Sequence, residues 1–163
     1  MLIEFLIQGN QENPKGNPIP YHRATQGSYW NAGNRRYHAW KDYVVENFNR
    51  VAKVFGYPVV LMDKVQIDKM IRTGRPPKPI NLEKKSARMD ICIEWANGAH
   101  ADGDNVFKGI LDALFVNDKG VAAGSFESKK AEDGIGKVFI KISIYETESI
   151  RNSKKEKVAD LTS

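Results

Sequence analysis

The chain has 163 residues, of which 41% are hydrophobic, so it can form one packed core, and no apolar stretch approaches the length of a membrane helix. A net charge of +5 favours polyanionic partners, which suggests nucleic acid or an anionic surface. The single cysteine, Cys92, argues against a disulfide framework and is interpreted as a packing residue. With no signal-peptide pattern at the start, we expect a cytoplasmic protein.

The first third of the chain predicts a strand, a long loop and a helix. The run from Leu2 to Ile7 is typical of a mostly buried strand, and a polar loop of unusual length follows from Gly9 to Gly33. Asn34 is the expected N-cap of the helix, which Gly56 ends. Apolar residues at intervals of three or four predict its buried face: Tyr37, Trp40, Val44, Phe48, Val51 and Phe55.

The middle of the chain is less regular. Residues 59–62 could begin a strand or a packed segment, and residues 66–72 could form a short helix. Three prolines within residues 75–79 predict an extended, helix-free link.

The second half alternates strands with one further helix. In chain order we predict a strand at 87–95, a helix at 105–115, a strand at 121–128, a hairpin connection at 129–136 and a strand at 138–145. The sum is one α+β (mixed α/β) domain over residues 1–147, with a mixed sheet of about four strands and two main helices. Residues 148–163 predict a charged, flexible tail.

Three carboxylates around the second helix are candidate metal ligands. Asp102 and Asp104 flank Gly103 where the helix begins, and Asp118 follows the helix, so a returning chain could bring it back to the pair. Clustered carboxylates repel one another unless a cation lies between them, and oxygen ligands select Mg²⁺, for which Mn²⁺ can substitute. Lys108, one helical turn after Asp104, could contact a phosphate that such a cation holds.

Each of these residues also has a structural interpretation. Asp104 could be an N-cap, Asp104 and Lys108 an ordinary ion pair, and Asp118 a turn former. His100 lies near the aspartates in sequence and could join the site. The sequence contains no zinc pattern, no calcium-binding loop and no nucleotide-binding fingerprint, so we expect no nucleotide cofactor.

Basic residues in loops and at element ends are the candidate DNA contacts. Arg35 and Arg36 stand at the start of the first helix, where they oppose its dipole and suggest a role outside stability. The alternative is that they are ordinary surface arginines. The complete candidate set is Lys15, Arg23, Arg35, Arg36, Lys129 and Lys130.

The run from Asp102 to Lys108, DGDNVFK, followed by Asp112-Ala113-Leu114 and Asn117-Asp118, resembles the RusA family of Holliday junction resolvases. That family's pattern is D-x-D-N-x-x-K, a D-A-L triplet and a D-D pair, and the likeness covers residues 87–146 well and 1–56 loosely. This chain departs from the pattern at Asn117, where the family carries aspartate, and its link at 57–86 is longer.

The resemblance implies a homodimeric, Mg²⁺-dependent endonuclease that cuts four-way DNA junctions, found in bacteria and often in prophages. In that case Asp102, Asp104 and Asp118 match the essential acidic residues and Lys108 the essential lysine. Two alternatives stay open: a metal nuclease that cuts flaps or single strands, and a DNA-binding accessory protein whose acidic cluster is inactive.

Overall fold

The computed structural model of the chain describes residues 1–23, 32–55, 68, 72, 78–97 and 101–147. The elements are β1 (Leu2–Gln8), α1 (Ala32–Phe55), β2 (Lys85–Trp95), α2 (Gly103–Leu114), a 3₁₀ turn (Asp118–Gly120), β3 (Val121–Lys130) and β4 (Lys137–Glu146). This is the predicted single α+β domain, with a four-stranded mixed sheet and two helices.

Three of the four strands run in one direction. The strand order is β1-β4-β2-β3, β4 is antiparallel to both of its neighbours, and β2 is parallel to β3. The last residues of β1, β2 and β3, namely Gln8, Trp95 and Lys130, therefore lie along one edge of the sheet, called here the carboxyl edge. The opposite edge, where β2 and β3 begin, is the amino edge.

The predicted hairpin between the last two strands is wrong. The α2 crossover makes β2 and β3 parallel neighbours, and β4 then lies between β1 and β2 instead of beside β3. Residues 131–136 cross the carboxyl end of β2, where the Ala131 amide donates a hydrogen bond to the Trp95 carbonyl at 2.9 Å. Burial explains the strand order. One face of β4 is buried along its length, whereas β3 is exposed at nearly every position and is an outermost strand of the sheet.

The core lies between one face of the sheet and the two helices. Alternate residues of β1, β2 and β4 point into it, and α1 contributes most of the predicted stripe, with Tyr37, Trp40, Val44 and Phe48 buried and Val51 partly buried. Phe5 of β1 and Phe48 of α1 meet edge to face with ring centroids 5.5 Å apart. Burying each such side chain stabilises the fold by about 1.5–3 kcal/mol.

Both helices begin earlier than predicted. Asn34 lies buried inside the first turn of α1 and does not cap it. The second helix begins at Gly103 because Asp102 occupies its N-cap position, with φ −67° and ψ 132°. Neither shift alters which face of the helix is buried.

Residues 9–23 fold against the carboxyl edge. Gly9 has a φ of +66°, which only glycine adopts easily, and turns the chain out of β1. The Asn10 side chain accepts hydrogen bonds from the amides of Glu12 and Asn13, both at 2.9 Å, and donates one to the Asn17 carbonyl at 2.7 Å. This part of the long loop therefore has a defined conformation next to the ends of β1 and β2.

Several predictions fall partly or wholly outside the described residues. They concern residues 59–62, the link at 75–77, His100 and the tail at 148–163. Within the short helix predicted at 66–72, Asp68 and Arg72 are described, and both are helical. None of the helices in the described ranges is long and apolar enough to cross a membrane.

Candidate metal and nucleic-acid site

Asp102 and Asp104 lie together at the start of α2, on the carboxyl edge. The Asp102 carbonyl begins the helical hydrogen bonding by accepting from the amides of Asn105 at 3.1 Å and Val106 at 3.3 Å. Its side chain makes no capping hydrogen bond, although aspartate in this position commonly does. The exposed Asp102 carboxylate is thus not used to stabilise the helix end.

Gly103 separates the two carboxylates because the helix begins against β3. A Cβ atom on Gly103 would lie 2.7 Å from Cδ2 of Phe126 and 3.2 Å from Oγ of Ser128. The backbone φ at Gly103 is ordinary, so glycine is required here for close packing and not for a special turn. The result is that Asp102 and Asp104 are held beside the end of β3.

Lys108 approaches Asp104 from one helical turn away. Its Nζ lies 3.8 Å from Oδ2 of Asp104, and the two side chains are 59% and 51% exposed. An exposed pair at this spacing stabilises a helix by about 0.3–0.5 kcal/mol. The ion-pair interpretation therefore describes the geometry, but the interaction is too weak to prevent either group from binding a ligand.

Asp118 lies at the amino edge, far from the acidic pair. It precedes β3 directly, and a Cβ on its neighbour Gly120 would lie 2.6 Å from Leu82 and 3.3 Å from the Lys85 carbonyl, where β2 begins. The 12-residue helix α2, about 18 Å long, lies between Asp102 at its N-cap and Asp118 beyond its C-terminal end. Among the described residues, no three His, Cys, Asp or Glu side chains form a group that could hold a metal.

The expected return of the chain to the acidic pair does not occur within one chain. A strand parallel to β2 must begin where β2 begins, so β3 starts at the amino edge and carries Asp118 there. Locally Asp118 starts the 3₁₀ turn, and the Asn117 side chain caps that turn by accepting from the Lys119 amide at 3.2 Å. The turn-former interpretation therefore fits the structure.

Most of the candidate DNA contacts lie near the carboxyl edge, but Lys129 lies on the face of the sheet opposite α2, because Phe126 and Ser128 face Gly103 whereas Lys129 pairs in register with Glu94. Lys129 and Lys130 end β3, and the Lys15 carbonyl accepts from the Gly136 amide at 3.1 Å in the connection that crosses β2. Arg36 at the start of α1 pairs with Glu12 of the loop at 2.7 Å. The Glu12 carboxylate offsets part of the unfavourable interaction between the arginine charge and the positive end of the helix dipole. Lys129, Lys130 and Arg36 belong to elements that begin or end at this edge, whereas Glu12 and Lys15 belong to the loop after β1.

The remaining two basic candidates continue the same surface. Arg35 is exposed beside Arg36, and Arg23 is exposed two residues after Tyr21. The Tyr21 amide donates to the Asn105 carbonyl at 2.9 Å, so this part of the loop lies along the first turn of α2. The loop thereby brings an exposed aromatic ring and a basic residue close to Asp104.

Asp112, two turns beyond Asp104 on α2, is the centre of a hydrogen-bonded cluster. It accepts from the Tyr37 hydroxyl at 2.8 Å, from Lys41 Nζ at 3.0 Å and from Lys78 Nζ at 3.3 Å. Burial by itself would raise the pKa of Asp112, but the Tyr37 hydrogen bond and the charges of Lys41 and Lys78 lower it to about 2. Burial and the bond to Asp112 raise the pKa of Tyr37.

Part of this cluster can be recognised in the sequence. The spacing of Asp104, Lys108 and Asp112 shows that they follow one another along α2, and the D-A-L triplet marks Asp112. Tyr37 reads as a core aromatic, which it is, since only its hydroxyl reaches the carboxylate. Lys41 and Lys78 are remote from Asp112 in sequence, so only the tertiary fold shows that they meet.

The donor set at the start of α2 fits a magnesium ion that is shared with a substrate. Mg²⁺ is commonly held by one or two carboxylates together with substrate phosphate oxygens and waters. Asp102 and Asp104 supply two such carboxylates at an exposed position, and Lys108 Nζ lies 3.8 Å from Asp104. No protein-family model matches this chain, and neither does any curated protein sequence.

Proposed function

We propose that the protein is a Mg²⁺-dependent endonuclease that cuts branched DNA, with four-way junctions as its substrate. The observation that carries this proposal is the placement of an exposed pair, Asp102 and Asp104, with Lys108 at the carboxyl edge among basic residues. Carboxyl ends of strands are the usual location of ligand sites in sheets with parallel strands. The motif resemblance to junction resolvases supplies the substrate class.

The chain's own residues have distinct tasks in this proposal. Asp102 and Asp104 would hold the ion, which when bound supplies an activated water for in-line attack on the phosphodiester. Lys108 would donate to a phosphate oxygen on which negative charge grows in the transition state. The basic residues of the carboxyl edge would hold the flanking backbone by charge, without reading sequence.

Asp118 can join this site only if a second copy of the chain supplies it. Among the described strands β3 pairs only with β2. The side of β3 that faces away from β2 therefore offers the backbone of ten residues for pairing. A twofold axis beside the free side of β3 would pair the β3 strands of two copies antiparallel. The amino edge of one copy would then lie beside the carboxyl edge of the other. Asp118 of one chain would then approach Asp102 and Asp104 of its partner, in agreement with the homodimer that the resemblance implies.

The two other functions make different demands on the same surface. A nuclease for flaps or single strands would use the same acidic pair but needs no second active site. An inactive accessory protein would bind junctions through the basic residues and make no use of Asp102 and Asp104. Asp102 and Asp104 are exposed, and the Asp102 side chain does not cap the helix, so both carboxylates can bind a metal. This favours an enzyme over the accessory protein.

Incubation of an end-labelled four-way junction with the protein separates these functions. In Mg²⁺ or Mn²⁺ we expect paired nicks at symmetric positions, little cutting of a linear duplex of the same sequence, and no cutting in Ca²⁺, whose looser coordination orients water poorly. Unpaired nicks at flaps would favour the second enzyme. Binding without cleavage in any metal would favour the accessory protein, and full activity in excess EDTA would exclude the metal mechanism.

A further inference from the structure

Phe126 exposes an aromatic ring directly beside the acidic pair. The residue is 47% exposed and lies on the face of β3 that is turned toward α2. Its ring lies against the backbone of Gly103, the residue between Asp102 and Asp104. A Cβ on Gly103 would be 2.7 and 3.0 Å from two ring carbons, Cδ2 and Cε2. Glycine at this position is therefore what allows the ring to lie against the start of the helix.

The first turn of α2 lies between two walls, β3 and the loop after β1. Successive residues of a helix point about 100° apart, so Gly103 and Asn105 are on opposite sides of it. Gly103 faces Phe126 of β3. On the other side the Asn105 carbonyl accepts from the Tyr21 amide of the loop at 2.9 Å. A Cβ on Gly109, one turn after Asn105, would lie 3.5 Å from the same Tyr21 nitrogen.

The solvent face of α2 between these walls carries Asp104 and Lys108. Their side chains are 51% and 59% exposed. A phosphate held at the acidic pair therefore lies next to the Gly103 backbone on which the Phe126 ring rests. Successive nucleotides of a strand are only about 3.4 Å apart along a duplex axis, so a base that adjoins this phosphate comes within reach of the ring.

The chemistry of the Phe126 side chain limits the contact that it can make with a nucleotide. The ring has no hydrogen-bonding group, whereas every base has an aromatic face, so the two can stack whatever the sequence. A base inside a duplex is already stacked on both sides and must first leave one neighbour, which costs free energy. This cost is smallest for bases that are already unpaired, as at a branch point.

We propose that Phe126 stacks on the base next to the phosphate cut at Asp102 and Asp104, and that this contact selects branched over linear DNA. Exposure alone does not carry the inference, because single exposed hydrophobic side chains are common. The position of the ring against Gly103 carries it. The inference rests on the proposed function, because it needs DNA seated at the acidic pair.

The fluorescence of 2-aminopurine, placed in turn at the nucleotides on both sides of the cut in a four-way junction, tests this contact. An Asp104→Asn background, in which we expect binding without cleavage, keeps the junction whole. Binding should raise the fluorescence at one position, because the base there leaves its neighbour. Phe126→Ala should abolish this rise and weaken junction affinity about five-fold or more, with little effect on a linear duplex. Phe126→Tyr keeps the ring and should preserve both.

Phe139→Ala is the matched control. Phe139 is also a strand phenylalanine of nearly equal exposure, 44%, but it lies on the opposite face of the sheet. It pairs in register with Cys92, whereas Phe126 pairs with Ile91, and successive residues of β2 point to opposite faces. We expect Phe139→Ala to leave the fluorescence rise and the junction affinity unchanged. Thermal melting shows whether each variant keeps its fold.

Several results would overturn the inference alone. They are a parent that binds junctions without any fluorescence rise, a folded Phe126→Ala variant that keeps the rise and the affinity, and an equal loss of affinity for junction and linear duplex. So would a Phe126→Ala variant that sediments as a monomer when the parent sediments as a dimer, because the ring would then belong to the contact between copies. Failure of the parent to bind junctions at all would overturn the proposed function with it.

Discussion

At the scale of single residues, Asp102 and Asp104 differ from Asp90 and Asp112 in how little their side chains contribute to the fold. Asp112 and Asp90 are engaged by neighbouring cationic and hydroxyl groups. Asp102, in contrast, occupies an N-cap without using its side chain, and Asp104 makes only a weak contact with Lys108. Substitutions at the pair should therefore alter chemistry and leave folding intact.

Asp102→Asn and Asp104→Asn should each abolish junction cleavage and leave binding unchanged or tighter. The amide keeps the shape of the carboxylate but loses the charge that holds a cation, and less repulsion acts on the DNA phosphates. Gel-shift affinity and cleavage rate in Mg²⁺ measure the two effects separately. Glu46→Gln, at an exposed carboxylate of α1, is the control and should retain full activity. Near-normal turnover in either aspartate variant would remove that residue from the site.

Lys108→Ala should reduce turnover far more than affinity. Its contact with a phosphate oxygen strengthens as negative charge develops, so the transition state loses more than the bound substrate. Single-turnover cleavage at saturating protein, compared with junction affinity in Ca²⁺, separates the two quantities. Equal loss of affinity with normal turnover would make Lys108 a binding residue only.

At the scale of elements, Asp112 joins α1, α2 and the segment before β2 through one carboxylate. The pKa of Asp112 is lowered from 3.8 to about 2, so the carboxylate stays charged in the folded state under conditions in which it would be protonated in the unfolded chain. Stability from this group is complete above about pH 4 and is lost as the pH falls from there toward 2.

Asp112→Asn should therefore destabilise the protein at neutral pH and much less at acid pH. Loss of the charge leaves two ammonium groups without their anion, which costs on the order of 1–3 kcal/mol. Denaturant unfolding at pH 7 and at pH 2.5 should show a large difference between the variant and the parent at the first pH and a small one at the second. A difference that does not depend on pH would mean that Asp112 stabilises by shape and not by charge.

At the scale of the whole molecule, the two edges of the sheet divide the motif. Asp102 and Asp104 follow β2 and lie at the carboxyl edge, whereas Asp118 precedes β3 and lies at the amino edge. One copy cannot join them, and the unpaired side of β3 runs between them. The shared site in a twofold dimer that we propose would reconcile the motif with this topology.

A mixture of two inactive variants tests that arrangement. Asp104→Asn and Asp118→Asn proteins should each fail to cleave, and after unfolding and refolding together they should recover activity. In the mixed dimer one site combines both substitutions, while the other keeps Asp104 of one chain and Asp118 of the other. If all ligands came from one chain, the mixture would stay inactive, and if Asp118 had no role, the Asp118→Asn protein would cut by itself.

Local patterns determined much of this protein from its sequence. Helical spacing identified the buried face of α1, strict alternation identified β2 and β4, and the four-residue spacing of Asp104 and Lys108 on one helix predicted their contact, because each of these depends on residues close in the chain. Their motif also suggested the chemistry.

Tertiary structure decided which strands are neighbours and which distant residues meet. The position of β4 between β1 and β2 depends on how much surface each strand can bury, and that comparison requires all four strands at once. The same strand order placed Asp118 at the wrong edge for a one-chain site and brought Lys41 and Lys78 to Asp112 from 71 and 34 residues away. Contacts over such separations leave no period in the sequence, because they are fixed only when the sheet and its helices pack together.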